Sequence, residues 1–412
     1  MELLAEVTSH RQMATSSPAV TRFAWASLLL LLSACAANQA SRGNEAAARE
    51  FAAKGYAAAE QAAVSTTGHT WTVSGRGVKI VLAEPVRPGV LPVVIYLPGL
   101  GETSDSGEHW RTAWASAGYG VVSVQLLDDD ATAWSSELAR DGDFKALGRQ
   151  RYAGIVMSRR VQLLADLVSE GQRRSIAGDA AWRRLDWTRV AVAGFDLGAY
   201  TAMTVAGEHV RDADDAAGRL HVGAVIALSP FASSAAGSFD TRYRDIHAPV
   251  MSVTSDVDSD ALGLVDGPNL REAPFNHMEG ANKYLLSLQG LPHWALSGSG
   301  DKRLEPGAEP TQRDDSDAKA SSDDSPQRRR GSRRAGSGAG GNPSRARPDS
   351  GFGAGADAAS LSSSALQMRL IAARQVSTAF LDAYVKDDAR AREWLADDAK
   401  RWLGTTGELR RK

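Results

Sequence analysis

The stretch Arg189 Val190 Ala191 Val192 Ala193 Gly194 Phe195 Asp196 Leu197 Gly198 Ala199 Tyr200 Thr201 Ala202 decides how the rest of the chain is read. An apolar run gives way to glycine-x-aspartate-x-glycine and then to helix-forming residues, so the pattern predicts a strand that turns sharply into a helix. Gly194 and Gly198 have a steric reason to be glycine. A residue held at the apex of such a turn has a strained backbone, and side chains two positions before and after it would strike the neighbouring strand and helix. Asp196 at that apex would stand at the helix N-terminus, where the dipole and the free N–H groups favour a carboxylate.

Working outward, strand patterns fall at Thr70 to Ser74, Val78 to Ala83, Leu91 to Leu97, Val121 to Leu127, Arg189 to Ala193, Val222 to Leu228, Pro249 to Thr254 and Tyr284 to Leu288. Helical patterns lie between most of them, notably Gln150 to Arg174 and Leu197 to Gly207. This alternation predicts an α/β fold with a mostly parallel central sheet covered by helices on both faces. Leu366 to Val385 and Ala391 to Leu403 are amphipathic and are expected to pack back on the sheet.

The elbow, the Gly-rich loop Leu97 Pro98 Gly99 Leu100 Gly101 Glu102 and the segment Ala117 to Val124 (AGYGVVSV) together resemble the α/β-hydrolase superfamily. The likeness is greatest to its cap-poor branch of dienelactone hydrolases and platelet-activating-factor acetylhydrolase-like lipases. In that superfamily the elbow is G-x-S-x-G, an acid follows the nucleophile in the chain, and a histidine comes last. The resemblance implies that Asp258 is the acid, with Asp256 and Asp260 as alternatives in the same loop. Of the eight histidines only His277 and His293 follow that loop, and His277 precedes the last expected strand, so the topology selects His293. The resemblance also implies an oxyanion hole made by the backbone N–H groups of Leu100 and Leu197. A phosphate-binding P-loop is excluded, because no Lys-Ser/Thr pair follows the Gly-rich loop.

Asp196 is the departure from the pattern. Haloalkane dehalogenases and epoxide hydrolases of the superfamily use an aspartate at the elbow, and the likeness implies the same division of labour here. Asp196 would displace a leaving group at carbon to form an alkyl ester, and His293, oriented by Asp258, would activate the water that cleaves it. Those enzymes carry a cap after the sixth strand, for which Ser229 to Ala248 leaves no room. The longer segment Asp128 to Trp187, with Trp134, Tyr152 and Trp182, is a candidate lid, although the same aromatics suit a core. Two alternatives stand beside the covalent reading. One is a non-catalytic lipoprotein in which Asp196 is only a good N-cap, and the other is an ester hydrolase using Asp196 as a base for water.

The N-terminal part has its own signals. Phe23 to Ala34 (FAWASLLLLLSA) suits the apolar core of a signal peptide and is short for a bilayer span. It runs into Leu32 Ser33 Ala34 Cys35, which resembles a bacterial lipobox with Cys35 as the lipidated residue, whether translation starts at Met1 or Met13. Alanine at position 36 points to an outer-membrane lipoprotein facing the periplasm, held through its N-terminal lipid anchor. The expected organisation is therefore a signal peptide over 1–34, a lipidated Ala-rich tether over 35–69 with a helix around Asn44 to Ala63, and a core over 70–296. A disordered Gly/Ser/Asp/Arg-rich insertion over 297–363 and C-terminal helices over 364–412 follow. The arginines of the insertion, Arg328 to Arg330 with Arg333 and Arg334, read as a solvated charge run.

Composition sets the outer limits. The 412 residues are 43% apolar, enough for a large core, and a formal charge of -2 gives no general reason to expect nucleic acid as a partner. With Cys35 the only cysteine, no intrachain disulfide is available. His and carboxylate residues do not cluster at metal-site spacing, so neither metal nor other cofactor is expected, and the expected partner at the site is a small-molecule substrate.

Overall fold

In the computed structural model, residues 43–213, 220–299 and 362–412 are described. Cys35, the signal segment and nearly all of the Gly/Ser/Asp/Arg-rich stretch lie outside them.

The most apolar run, Leu91–Leu97 (LPVVIYL), forms β3, and all seven residues are buried. A strand apolar on both faces belongs in the middle of a sheet with cover on both sides. β3 lies between β4 (Gly120–Gln125) and β5 (Leu185–Phe195), parallel to both. β6 (Ala224–Leu228), β7 (Val250–Ser255) and β8 (Lys283–Leu288) extend the sheet in parallel on one side. On the other side β2 (Arg76–Pro85) pairs antiparallel with β4, and β1 (Val64–Val73) antiparallel with β2. A last strand, β9 (Gly407–Arg411), pairs antiparallel with β8 and completes the order β1-β2-β4-β3-β5-β6-β7-β8-β9. The protein is thus an α/β fold with a nine-stranded, mostly parallel sheet.

The two-residue period of each strand divides the core into two layers. Val93, Ile95 and Leu97 face one layer with Val192 and Val225, while Val94 and Tyr96 face the other with Ala191, Ala193 and Ile226. The first layer is covered by the helix Gly154–Ile176, which buries Met157, Val161, Leu164 and Val168 at helical spacing, and by the helix Leu197–Val205. The second is covered by the helix Glu108–Ser116 through Trp110 and Trp114, and by the C-terminal helix Ser363–Tyr384 through Ala372, Val376, Ala379, Phe380 and Ala383. A polar latch locks that last helix to the sheet. Buried Asp382 accepts hydrogen bonds from Tyr56 Oη at 2.8 Å and Tyr119 Oη at 2.7 Å, and pairs with Lys386 at 2.8 Å. No helix among the described residues is long and apolar enough to cross a membrane.

Three expectations are corrected. The folded part starts before Thr70, since β1 begins at Val64. The Ala-rich segment is not a free tether over its described length either. Its helix covers 43–53 and stops well short of Ala63. That helix is docked on the C-terminal region, with Phe51 stacked on Trp402 at 4.4 Å and Gln375 Nε2 donating to the Ala52 carbonyl at 2.9 Å. Alanine gives such a helix propensity with little apolar area, so packing elsewhere decides where it ends. The third correction is β9, which the sequence pattern did not disclose. Its residues GELRR offer one buried apolar side chain, Leu409, and read as a charged tail until β8 supplies an edge to pair with.

Candidate active site

Asp196 occupies the junction between β5 and the helix Leu197–Val205 with φ 52° and ψ −110°, a positive φ that an L residue rarely adopts. Such a conformation costs on the order of 1–3 kcal/mol, so surrounding contacts must impose it. They are visible on both sides. The Asp196 N–H donates to the Leu228 carbonyl at 3.0 Å, and the Tyr200 N–H donates to the Asp196 carbonyl at 3.0 Å. The flanking glycines are sterically required. A Cβ on Gly194 would stand 2.3 Å from the Gly198 carbonyl carbon, and one on Gly198 would stand 2.0 Å from the Leu97 carbonyl oxygen. Although Asp196 stands at the N-cap position, its side chain makes no capping hydrogen bond.

The loop after β7 and the loop after β8 bring the other two predicted residues together. His293 Nδ1 lies 2.7 Å from Asp258 Oδ1, and Asp258 is completely buried. Thr254 Oγ1 donates to the second carboxylate oxygen at 2.7 Å. Two residues absent from the sequence reading complete the group. Ser229 Oγ donates to Asp258 Oδ1 at 2.8 Å and lies 3.0 Å from His293 Nδ1. Arg271 Nε lies 3.2 Å from Asp258 Oδ1 and donates to the Asp258 carbonyl at 3.0 Å. Burial works to raise the Asp258 pKa, but Arg271, then His293 and Thr254, outweigh it and hold the carboxyl below its usual range. On His293, burial opposes the charge, while the Asp258 hydrogen bond and charge, followed by the charge of Asp196, raise the imidazole above its ordinary value.

The alternatives in the acid loop have structural tasks. Asp256 accepts from the Gly290 N–H at 2.6 Å, and Asp260 accepts from the N–H groups of Leu262 and Val265 at 3.0 and 2.9 Å. His277 pairs with Asp240 at 2.6 Å, away from Asp258.

The Gly-rich loop lies against the elbow, since a Cβ on Gly99 would be 2.7 Å from the Phe195 ring and 3.4 Å from Asp196 Cβ. Its shape is set by buried Glu102, whose Oε2 accepts from the Gly99 N–H at 2.9 Å, and by the Gly101 N–H donating to the Asp130 carbonyl at 2.9 Å. Neither the Leu100 N–H nor the Leu197 N–H finds an acceptor among the described residues, and both residues are buried. Two backbone donors beside the elbow that find no acceptor among the described residues are what an oxyanion site requires.

The segment between β4 and β5 divides in function. Trp182 is core, in edge contact with Trp71 at 4.4 Å. Trp134 is part-exposed and lies over the Gly-rich loop, where its indole would be 1.9 Å from a Cβ on Gly101. Tyr152, at the end of the helix Phe144–Arg151, packs its ring on Phe231 at 4.7 Å. Its hydroxyl is buried near the Asp196 carboxylate with a geometry short of a full hydrogen bond. Burial, then the charges of Asp196 and Asp260, push its pKa well above the ordinary tyrosine value, so the hydroxyl stays protonated.

Ser229 had a usable sequence signal, because it ends the apolar run Ala224 to Leu228 just as Asp196 ends β5. Arg271 had none. Among the described residues no group of His, Cys, Asp and Glu is placed to hold a metal ion. Comparisons of the chain with family models and with curated proteins return no match.

Proposed function

We propose that the protein is a hydrolase of the α/β-hydrolase fold in which Asp196 is the nucleophile and His293 with Asp258 activates water. The elbow after β5, the acid after β7 and the histidine after β8 follow the chain order of that superfamily. One observation carries the reading. The backbone at Asp196 is strained and its carboxylate is not used as a helix cap, yet it faces the hydroxyl of Tyr152 and acts electrostatically on His293. A residue kept only for capping would make the capping bond.

The chemistry runs in two steps. An Asp196 oxygen attacks an sp³ carbon and the bond to the leaving atom breaks, giving an alkyl ester. A halide departs with its electron pair, whereas an alkoxide from an opened epoxide takes a proton from Tyr152 Oη. His293 then removes a proton from water, hydroxide adds to the ester carbonyl, and the Leu100 and Leu197 amides hold the oxyanion. Collapse releases the alcohol, which takes its proton from His293, and the regenerated Asp196 acid gives up its own proton, to the Tyr152 phenolate after an epoxide and to water after a halide. Attack on a carboxylic ester is disfavoured, since it would generate an anhydride. The sequence around Leu32 to Cys35 supports placing this activity on a lipid-anchored protein of the cell envelope.

Single turnover in heavy-oxygen water tests the covalent step, using haloalkanes and epoxides as substrates. The first product should be unlabelled and the Asp196 peptide should gain the isotope. Label in the first product would refute the mechanism. Tyr152→Phe should lower turnover of epoxides by about a hundredfold while alkyl halides, whose leaving group needs no proton, lose far less. Equal losses on both substrates would remove Tyr152 from the acid role.

A further inference from the structure

Arg271 lies in the short 3-10 turn Pro268–Glu272 and is 1% exposed. Burying a guanidinium is unfavourable unless it is paired and hydrogen-bonded. Its Nε faces Asp258, and its Nη1 donates to the carbonyls of Ser229 and Pro230 at 3.2 Å each. Its Nη2 has no partner among the described residues. So the side chain is held from three directions beside the His293–Asp258 pair, and one donor is left unused.

The charges around the imidazole explain why a cation is needed there. Asp258 faces His293 from the loop after β7, and Asp196 acts on it from the elbow. Tyr152, at the end of the helix Phe144–Arg151, is neutral, Ser229 contributes a hydroxyl, and Asp260 acts on Tyr152. With serine at the apex, a single carboxylate would act on the ring. With aspartate, two do, and two anions beside one imidazole hold its proton on the ring. An imidazolium cannot accept a proton from water. Arg271 is the cation paired with this cluster, and its charge acts on His293 against those of the carboxylates.

We infer that Arg271 is the compensating charge for an aspartate at the elbow, a positioning residue that offsets the two carboxylates acting on His293 and so lets the imidazole serve as a base. The inference rests on the reading of His293 as a base, but its test reads charge rather than turnover. A merely structural Arg271 would hold the Ser229 and Asp258 backbones and leave the titration of His293 unchanged.

The experiment is an NMR titration of isotope-labelled histidine in the folded protein, with the His293 signal assigned by its disappearance in His293→Gln. Arg271→Gln should move the His293 titration to higher pH, and Arg271→Lys should leave it close to native. Asp196→Asn should move it to lower pH, and Asp196→Asn combined with Arg271→Gln should bring it back toward native. The double variant restores the charge balance, so it serves where Arg271→Gln does not fold alone. If Arg271→Gln titrates like the native protein, or the double variant titrates like Asp196→Asn alone, the inference is overturned. Once a substrate is in hand, Arg271→Gln should lose more than about tenfold of its turnover at pH 6 and recover it by pH 9. Absence of turnover on every substrate would defeat the hydrolase reading while leaving the titration result standing.

Discussion

His293→Gln is expected to stop the reaction halfway and leave the protein carrying an alkyl group on Asp196. The first step needs only the carboxylate and a leaving group, whereas cleavage of the ester needs a base to take a proton from water. Asp258 cannot substitute as that base. It is completely buried and spends its oxygens on Thr254, Ser229, Arg271 and the imidazole. Glutamine keeps much of the imidazole's volume and can donate to Asp258, so the fold should survive. The expected kinetics are one equivalent of leaving group released in a burst, followed by turnover reduced by roughly a thousandfold or more. Intact mass should show the adduct, and peptide mapping should place it at Asp196. Asp196→Asn should form no adduct at all. In the native protein the pH profile follows from the direction of the His293 shift. Asp258 and Asp196 raise the imidazole above its ordinary value, so the active neutral form appears only as pH rises through that higher pKa. Turnover should therefore climb with pH on the alkaline side of an unperturbed histidine. A flat profile from pH 6 to 9 would mean that His293 is not the base.

What could be read in the sequence was what local chemistry enforces. The apolar run of β3 can only be a central strand, and the glycines around Asp196 can only serve a close approach. Both were legible without a structure because each constraint lies within a few residues. The choice of Asp258 over Asp256 and Asp260 rests on resemblance; of the three, Asp258 is the one that meets His293, while the other two are occupied by loop amides. Ser229, Arg271 and Tyr152 belong to segments far apart in the chain, and although Ser229 ends a strand pattern and Tyr152 lies in the candidate lid, only the fold brings the three to one place. Arg271 shows this most clearly. A charged residue in a polar stretch reads as solvent-exposed, and only the packed turn Pro268–Glu272 makes it the partner of a buried carboxylate. β9 was hidden for a related reason, because an edge strand rich in charge is defined by its neighbour more than by its own residues.

Gly198→Ala is expected to remove most or all of the protein's stability, by about 3 kcal/mol or more, far beyond the loss usual for adding one methyl group. The added Cβ would lie 2.0 Å from the Leu97 carbonyl oxygen and 2.8 Å from that of Pro98. Both are backbone atoms at the end of β3, which pairs with β4 and β5 and cannot move without breaking the centre of the sheet. The helix Leu197–Val205 is equally constrained, being buried along its whole length. With neither side able to yield, the elbow must open, and the Leu100 and Leu197 amides would separate as it does. Gly194→Ala should behave alike, because its Cβ would meet the Gly198 carbonyl carbon at 2.3 Å. Gly68→Ala is the control. Nothing lies within 4 Å of its Cβ and its φ is not in the left-handed region, so alanine there should be neutral or slightly stabilising. Denaturant unfolding of the three variants separates the cases. A loss below about 1 kcal/mol for Gly198→Ala would mean that β3 and the elbow helix do not approach as closely as the fold requires, and the placement of Asp196 at a strained elbow would fall with it.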